Sequence, residues 1–332
     1  MASYEKDMDA PVTDASVLAP LQAASRRYNS VVYPAVATML FWHLSGIYGF
    51  YLCVIYAKWA TICFNIILYM CAMLGITAGA HRLWAHRSYK ATLPLQVLLM
   101  LFQSLAYQHS ALRFARDHRA HHKFSDTDAD PYNPARGFFF AHIGWLLVRK
   151  HPLAITREKG IDVVDLYQNP VLVFQNKYSF YLTSLLAFVL PALVATYFWQ
   201  ESLNTAHHVS VLRVLAVWHA FFTTNSAAHN YGYRPYDNRI MPTQNLPVTL
   251  ITLGEGFHNF HHVFPFDYRA AELGNNCLNL TTRLIDLFAW IGWAYDLKHA
   301  SPDVITKRSN RTGDGTDLWG RVKEDFVSDS SK

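Results

Sequence analysis

Four long apolar runs are the feature that most restricts how this chain can fold. They cover residues 31–57, 59–80, 178–200 and 209–228, and each is long enough for the ~20 residues of a helix that crosses a bilayer. The first three contain no charged residue, and the fourth contains only Arg213, whose side chain we expect to reach the lipid headgroups. Because only 16% of the residues are charged, against roughly 25% in soluble domains, buried helices of a soluble protein are disfavoured. The pattern predicts an all-α integral membrane protein with four transmembrane helices.

The basic residues indicate how these helices are oriented. With four spans, 27 of the 29 Lys and Arg residues fall on one side of the membrane, and an excess of basic residues marks the cytosolic side. Both termini are therefore expected in the cytosol. Residues 31–300 form the predicted membrane domain, and residues 1–30 and 301–332 are predicted to be disordered cytosolic tails. We expect no cleaved signal peptide and no nucleic-acid partner.

Two shorter apolar stretches are not expected to cross. Residues 92–108 include Pro94, Gln96 and Gln103. A crossing there would place histidine-rich segments on either side of it at opposite membrane faces and would spoil the charge asymmetry. We predict an interfacial or re-entrant helix. Residues 284–297 are a similar candidate, because Trp290, Trp293 and similar aromatic residues favour the membrane interface.

Histidines at ligand-like spacing form three short motifs on the predicted cytosolic side. We call HRLWAH (His81, His86), HRAHH (His118, His121, His122) and HNFHH (His258, His261, His262) the first, second and third histidine boxes; His229 stands alone in NSAAH. Residues at i, i+3 and i+4 share one helix face, so the histidines of the second box point together, as do those of the third. The two histidines of the first box are five residues apart and need a helix end or a local distortion to converge. His142 and His219 are predicted to have core or supporting roles.

Nine histidines exceed what one metal ion needs. Imidazole nitrogens suit zinc, copper, iron or nickel, and a structural zinc needs only four ligands. No C-x-x-C pair occurs among the four cysteines, so the site is built without thiolates. Two redox metals beside an apolar interior suggest oxygen activation, whereas zinc-dependent hydrolysis is the competing chemistry.

Longer motifs around the histidines resemble those of the membrane-bound acyl-CoA desaturases, the stearoyl-CoA desaturase group. The resemblance runs from about Ala80 to Leu273, and its specific pieces are HRLWAHRSYKA, ARDHRAHHKFSDTDADP, RGFFFAHIGWLLVRKHP, NSAAHNYGYRPYD and GEGFHNFHHVFPFDY. It implies four transmembrane helices with a cytosolic helical cap that holds a di-iron centre. It also implies that all nine histidines bind iron and that Asn225 contacts one iron through water.

The resemblance further implies a reaction and its partners. A fatty acyl-CoA would lose two hydrogens to form a cis double bond, with dioxygen and two electrons consumed. No haem-binding HPGG segment occurs in the sequence, so no fused haem domain is expected, and the implied electron donor is cytochrome b5 with its NADH-dependent reductase. The implied location is the endoplasmic reticulum membrane, with the metal site in the cytosol.

Several residues match positions that contact the substrate in the family. Arg116 and Asp117 match positions near coenzyme A, and Tyr69 matches a tyrosine that closes the far end of the acyl tunnel, which favours chains of about sixteen to eighteen carbons. Asp117 and Glu255 are also candidates for carboxylates that orient the ligating imidazoles.

The sequence departs from the family pattern around the expected tunnel. Gln108 is kept, but His109 replaces an asparagine that contacts the thioester carbonyl. Phe114 replaces a tryptophan, and the pair Phe221 and Phe222 replaces a Thr-Trp pair, so the threonine that would hydrogen bond Gln108 is lost. Because every ligand is retained while these positions change, we expect retained catalysis with altered regiochemistry, chain length or head group.

The leading hypothesis is a stearoyl-CoA 9-desaturase type of enzyme, an oxygen-dependent di-iron oxidoreductase that forms a Δ9 double bond. A desaturase of different regiospecificity or a fatty acyl hydroxylase is the first alternative, because both begin with the same hydrogen abstraction. A non-catalytic membrane protein that holds zinc is the second.

Overall fold

The computed structural model describes residues 30–272 and 277–323, and regular structure in these ranges is almost entirely helical. Numbered along the chain, the α-helices are α1 Tyr33–Ile55, α2 Trp59–Leu74, α3 Leu93–Ser104, α4 Ala111–Phe124, α5 Trp145–Leu147, α6 Pro152–Glu158, α7 Val164–Gln168, α8 Pro170–Ser184, α9 Leu190–Trp199, α10 Leu203–Asn225, α11 Ala227–Asn230, α12 Leu246–Thr252, α13 His258–Val263, α14 Leu280–Trp290 and α15 Pro302–Thr312. The segments Gly75–Ala85, Phe140–Gly144 and Leu185–Val189 are π-helical, and Pro134–Arg136 is a 3₁₀ turn. Strands β1 (Lys90–Ala91) and β2 (Ala294–Tyr295) pair antiparallel, with Lys90 opposite Tyr295.

Three of the four predicted spans are helices long and apolar enough to cross a membrane. They are Tyr33–Ile55, Trp59–Ala85 and Pro170–Trp199. The fourth, α10, has the same 23-residue length as α1 but is more polar, and 14 of its residues are buried inside the protein. It packs along α1, where a side chain on Gly46 would collide with Leu215 and one on Gly49 with the His208 carbonyl.

The two tight connections between these long helices meet at one end of the bundle. Glu201 accepts hydrogen bonds from the Lys58 backbone N–H at 2.8 Å and from the Thr61 hydroxyl at 2.6 Å. The Lys58 ammonium donates to the carbonyls of Trp199 and Gln200, both at 2.8 Å. The turn before α2 and the turn before α10 therefore lie together, and the histidine-bearing segments lie at the other end of these helices.

The prediction that Arg213 reaches the headgroups is wrong. Its side chain is 4% exposed and donates to the carbonyls of Leu105, just after α3, and Ala187, at 2.5 and 2.6 Å. Pro191 has no N–H to give to the carbonyl four residues before it, which is that of Ala187. The proline thus leaves an acceptor free inside the bundle, and Arg213 uses it.

Helices α3 and α14 have the lengths expected for segments that do not cross. The 12 residues of α3 span roughly 18 Å, well short of the roughly 30 Å of bilayer hydrocarbon. Its C-terminal end is held inside the protein, where the Trp218 indole donates to the Ala106 carbonyl at 2.8 Å. Helix α14 ends in Trp290, which is 83% exposed, and the following turn leads into β2.

The prediction of a disordered C-terminal tail is wrong for residues 301–323, while residues 1–29 and 324–332 lie outside the described parts of the chain. Ser301 caps the N-terminus of α15 by accepting from the Val304 N–H. Ile305 is buried in a cluster with four residues that include Phe260 of the third histidine box. The helix hides one narrow apolar stripe under an otherwise polar sequence, so composition alone did not reveal it.

Candidate metal centre

Four segments bring the nine predicted histidines to one place. His81 lies in the π-helical segment Gly75–Ala85 and His86 directly follows it; the second box lies on α4, His229 on α11 and the third box on α13. The π-helical turn solves the spacing problem of the first box, because its hydrogen bonds join residues five apart. The His86 N–H donates to the His81 carbonyl at 3.0 Å, and the two ring centroids are 4.8 Å apart. The expected distortion is confirmed.

The histidines divide into two groups. Within each group, the ligand atoms all lie within 4.8 Å of one another. The five-histidine group is His81, His86, His118, His122 and His261, and the four-histidine group is His121, His229, His258 and His262. In the first group, the Nε2 atoms of His81 and His261 are 2.9 Å apart, as are those of His86 and His118. In the second group, the Nε2 atom of His258 lies 3.1 Å from those of His229 and His262. Each group offers enough nitrogens for one transition-metal ion.

Three carboxylates fix the orientation of one histidine each. Oε2 of Glu255 lies 2.8 Å from Nδ1 of His81, the Asp130 carboxylate lies 2.9 Å from Nδ1 of His121, and Oδ1 of Asp126 lies 3.1 Å from Nδ1 of His229. A carboxylate that accepts the Nδ1 proton leaves the Nε2 lone pair for a metal. The prediction for Glu255 is confirmed.

The prediction that Asp117 supports an imidazole is wrong. Its carboxylate contacts the guanidinium of Arg116 at 2.9 Å and the ammonium of Lys150 at 3.6 Å. Asp117 is next to His118 in sequence, but adjacent residues on a helix point in different directions. Asp126 and Asp130, which take the role instead, lie in the SDTDADP run that follows the second box, and that acidic run was the available signal.

The protein environment keeps most of these imidazoles neutral. Burial and the neighbouring histidines hold the pKa well below its usual range for His86, His118, His122, His229, His258, His261 and His262. Burial also opposes protonation of His121, but the adjacent Asp130 outweighs it and raises the pKa of His121. Burial would raise the pKa of Glu255, yet Arg82 and His81 lower it to about 2. Neutral rings beside fixed carboxylates are the state that metal binding requires.

Buried nitrogens without partners also fit a metal site. Nε2 of His121 and the Nδ2 amide of Asn225 make no hydrogen bond to the described residues. Asn225 is 3% exposed, and an unpaired buried polar atom is costly. The donor set of nine imidazoles with supporting carboxylates and an unpaired amide therefore suits two metal ions.

Six of the eight predicted substrate residues line one cavity of about 350 Å³ beside the histidines. They are Gln108, His109, Phe114, Asp117, Phe221 and Phe222. Its wall also includes Thr38 and Trp42 of α1 and Thr183 of α8. A second cavity of about 320 Å³ shares His109 and Asp117, and Arg149 and Lys150 line it.

The replaced family positions meet at the wall between the first cavity and the five-histidine group. The Phe114 ring lies 5.6 Å from the His118 ring, nearly parallel to it, and 5.3 Å from the Phe221 ring. The buried Nε2 amide of Gln108 makes no hydrogen bond to the described residues, as expected from the loss of its threonine partner. The Phe221 ring therefore stands where the family pattern has a threonine, next to Phe114, which replaces a tryptophan.

Tyr69 and Arg116 do not line either cavity. The Tyr69 hydroxyl donates to the Ile251 carbonyl at 2.6 Å, and the Arg116 guanidinium contacts Asp117 and Glu158. His142 and His219 lie outside both histidine groups. They form a hydrogen-bonded chain from His43 to Ser226, with nitrogen–nitrogen distances of 3.1 and 3.0 Å and a final step of 2.9 Å.

Comparisons with known proteins give the site a family context. A family model described as fatty acid desaturase matches residues 57–272. An acyl-CoA Delta(11) desaturase of Spodoptera littoralis is 55% identical over 93% of this chain and 91% of its own length. Another from Choristoneura rosaceana is 53% identical over 97% of each chain. An acyl-CoA Delta-9 desaturase of Acheta domesticus is 50% identical over 97% of this chain and 89% of its own.

Proposed function

The chain belongs to the fatty acid desaturase family, and from this membership we propose an acyl-CoA desaturase that forms a cis double bond at Δ11 in saturated sixteen- to eighteen-carbon acyl-CoA. Family membership makes it an oxidoreductase with a fatty acyl-CoA substrate in a membrane setting. The observation that carries the proposal is the pair of histidine groups beside an apolar cavity. The reaction takes two hydrogens from the chain and, with dioxygen, two electrons and two protons, releases two waters.

Two iron ions are the proposed cofactor. The five-histidine and four-histidine groups would each hold one, and Asn225 would contact one of them through water. Bound iron supplies oxygen activation, which acid–base side chains cannot provide at an unactivated carbon. The surrounding residues prepare the ligands. The carboxylates of Glu255, Asp130 and Asp126 face the Nδ1 atoms of three of the histidines. The Phe114–Phe221 wall presents an apolar surface to the acyl chain.

The two cavities suggest how the substrate is placed. The cavity lined by Phe114, Phe221 and Phe222 suits an acyl chain. The adjoining cavity with Arg149 and Lys150 suits the phosphates of coenzyme A. His109 lines both cavities and Gln108 lines the first, and these two side chains are the proposed donors to the thioester carbonyl. Tyr69 is proposed to limit chain length beyond the first cavity, and Arg116 acts near the head group through Asp117.

Regiochemistry is the finer part of the proposal. Relatives with Delta(11) in their names are 55% and 53% identical to the chain, and the changes at Phe114, Phe221 and Phe222 alter the wall beside the ligands. These observations favour Δ11 over the Δ9 position expected from the sequence. Δ9 is the second candidate, because the Acheta domesticus relative, with Delta-9 in its name, is 50% identical over 97% of the chain.

The membrane arrangement and the electron donor are proposed as well. Helix α10 is the proposed fourth span, because its turn meets the turn before α2 and its body packs along α1. We further propose that the protein lies in the endoplasmic reticulum membrane, with the helical cap, the metal site and both termini on the cytosolic side. Cytochrome b5 and its NADH-dependent reductase are the proposed electron source.

Product analysis in yeast that lacks its own Δ9 desaturase tests the proposal. Cells expressing the chain should accumulate sixteen- and eighteen-carbon Δ11 products, located by mass spectrometry of double-bond adducts, and the purified protein should hold two irons. The variant H121A is the inactive control. Only Δ9 products would favour the second candidate, and hydroxylated chains would indicate a hydroxylase. Protein that holds zinc and forms no product would contradict the proposal.

A further inference from the structure

Three arginines directly follow a metal-site histidine in the sequence, and two of them use all their side-chain nitrogens inside the protein. Arg82 follows His81 in the first box, and Arg119 follows His118 in the second. A guanidinium has five N–H donors in a rigid planar fork. Each of these two side chains makes five hydrogen bonds to other parts of the protein.

Arg119 joins the second box to the end of the first. Its Nε and Nη2 atoms donate to the carbonyls of Ala85 and Trp84 at 2.9 and 2.7 Å. These carbonyls end the π-helical segment, where no following turn supplies donors to them. The remaining donors of Arg119 reach the Asp162 carbonyl at 2.7 Å and both oxygens of Asp165 at 2.8 and 2.7 Å. The residue just before His86 is thereby fixed to the helix that carries His118 and His122.

Arg82 joins the first box to the segment before the third. Its Nε and Nη2 atoms donate to Oε1 of Glu255 at 3.1 and 2.7 Å, while the other oxygen of Glu255 faces His81. The other donors reach the Tyr268 carbonyl and the Thr282 hydroxyl, both at 2.9 Å, and the Asn279 side chain at 3.3 Å. The side chain is 1% exposed. Glu255 is thus held in place from one side by Arg82 while its other side orients His81.

We propose that Arg82 and Arg119 are positioning residues that fasten the three histidine boxes together and hold the five-histidine group in ligand geometry before metal arrives. The inference rests on the proposed function only in taking that group as a metal site. Both arginines act on the segment that ends at His86, and both of its histidines belong to the five-histidine group. The four-histidine group has its own carboxylates, Asp126 and Asp130, and neither arginine contacts them.

The contacts explain why arginine is used at these positions. A lysine ammonium is a single donor centre and cannot grip two adjacent carbonyls and a carboxylate together. Arg87, which directly follows His86, also donates two hydrogen bonds to the Asp165 carboxylate, but its side chain is 48% exposed. It contacts no histidine-box carbonyl among the described contacts, so R87K is the matched control.

Iron analysis of four variants of the full-length protein tests the inference. R82K and R119K should each lose about half of the bound iron, and the iron of the five-histidine group should dissociate into a chelator roughly 10–100-fold faster, as when other supports of metal ligands are removed. Mössbauer spectra should show one altered iron environment and one unchanged. D126N should instead alter the other environment, and R87K should match the wild type.

The outcomes separate the inference from the proposed function. Wild-type protein without iron would overturn the proposed function. Wild-type protein with two irons, together with R82K and R119K that keep both with unchanged spectra and release rates, would overturn the inference. A general loss of both irons in R119K, with an apoprotein melting temperature equal to that of the wild type, would also contradict it. Arg119 is less buried than Arg82, with 11% of its side chain exposed. If R82K does not fold, the iron content and spectra of R119K therefore test the inference.

Discussion

The rings of His122 and His262 stack with their centroids 4.1 Å apart and their planes 18° from parallel. His122 belongs to the five-histidine group and His262 to the four-histidine group, so this stack is a direct contact between the two candidate metal sites. It is the shortest of the ring separations among the nine histidines. The two sites therefore share this pair of stacked rings, and a substitution of either ring should affect metal binding at both sites.

Substitutions of the stacked histidines test this contact through the amount of iron bound. We expect H262A to bind less than one iron per protein, because it loses one ligand and also the surface against which His122 packs. H229A should keep close to one iron, since the described ring contacts of His229 involve only its own group. Metal analysis of the two purified variants makes the comparison. Equal iron loss in both would show that the stack has no role in joining the sites.

The carboxylate of Asp130 should be needed for iron affinity. It is fully buried, and in addition to His121 it accepts the backbone N–H groups of Asp126 and Tyr132 at 3.1 and 2.9 Å. D130N keeps the shape but loses the charge that stabilises the His121 ring, so iron should bind roughly 10–100-fold more weakly. Chelator competition measures this. D128N is the control, because Asp128 is exposed and hydrogen bonds only to Asn133 among the described contacts; similar weakening in both variants would contradict the assignment.

The contact between Phe114 and Phe221 should influence the position of the double bond. Restoring the family residues in the double variant F114W/F221T gives Gln108 a hydroxyl partner and changes the wall next to His118. We expect a greater share of Δ9 product, since the reacting carbons would be placed differently against the ligands. Double-bond mapping of products from yeast expressing each variant measures the shift. The variant F198L should leave the ratio unchanged, because Phe198 is 71% exposed and lines neither cavity. An unaltered product ratio in the double variant would show that these phenylalanines do not influence the position of the double bond.

Asp237 should hold the C-terminal helix α15 against the third box. Its carboxylate accepts from Arg239 and from Arg308 of α15. The hydrogen bond from Arg239 is the largest influence that lowers the pKa of Asp237, to about 2, with Arg308 contributing. A carboxyl group with a lowered pKa stabilises the fold above its ordinary pKa of about 4 and loses that effect as the pH falls toward 2. At neutral pH the Asp237 carboxyl group is therefore ionised and its stabilising effect is fully present.

In D237N, trypsin should cut within residues 302–312 faster than in the wild type. Wild-type protein should show the same release, measured by pepsin cleavage, only as the pH falls from about 4 toward 2. D303N is the control, because Asp303 lies on the exposed side of the same helix. Protection that is the same in D237N and the wild type would mean that the apolar contact of Ile305 alone holds the helix.

The sequence predicted the convergence of the nine histidines because helical spacing and membrane sidedness both depend on local residues. It also predicted that His81 and His86 require a distorted helix, and the π-helical segment confirms this. It could not identify which carboxylates support which ring. Asp117 is adjacent to His118 in sequence but turns to Arg116, whereas Asp126 crosses to His229, 103 residues away.

The described structure also differs from the sequence-based expectation where one buried residue decides the outcome. Ile305 anchors a helix in a segment whose composition is typical of disorder. Arg213 satisfies its donors inside the protein, where hydropathy alone predicts a side chain that seeks the headgroups. Such pairings depend on distant backbone carbonyls, and no local pattern reports the position of a distant carbonyl.

The carbonyl of Ala187 that Pro191 leaves free has a consequence for how the protein is made. With α10 as the proposed fourth span, this helix emerges during synthesis with Arg213 in its middle, and an arginine at the centre of a membrane-inserted helix costs about 2.5–3.5 kcal/mol on the translocon scale. Its acceptor at Ala187 lies in the helical stretch that has just preceded it. The two helices are therefore expected to leave the translocon together as a hairpin, with the arginine already paired, so that biogenesis depends on a proline 22 residues upstream of the charge.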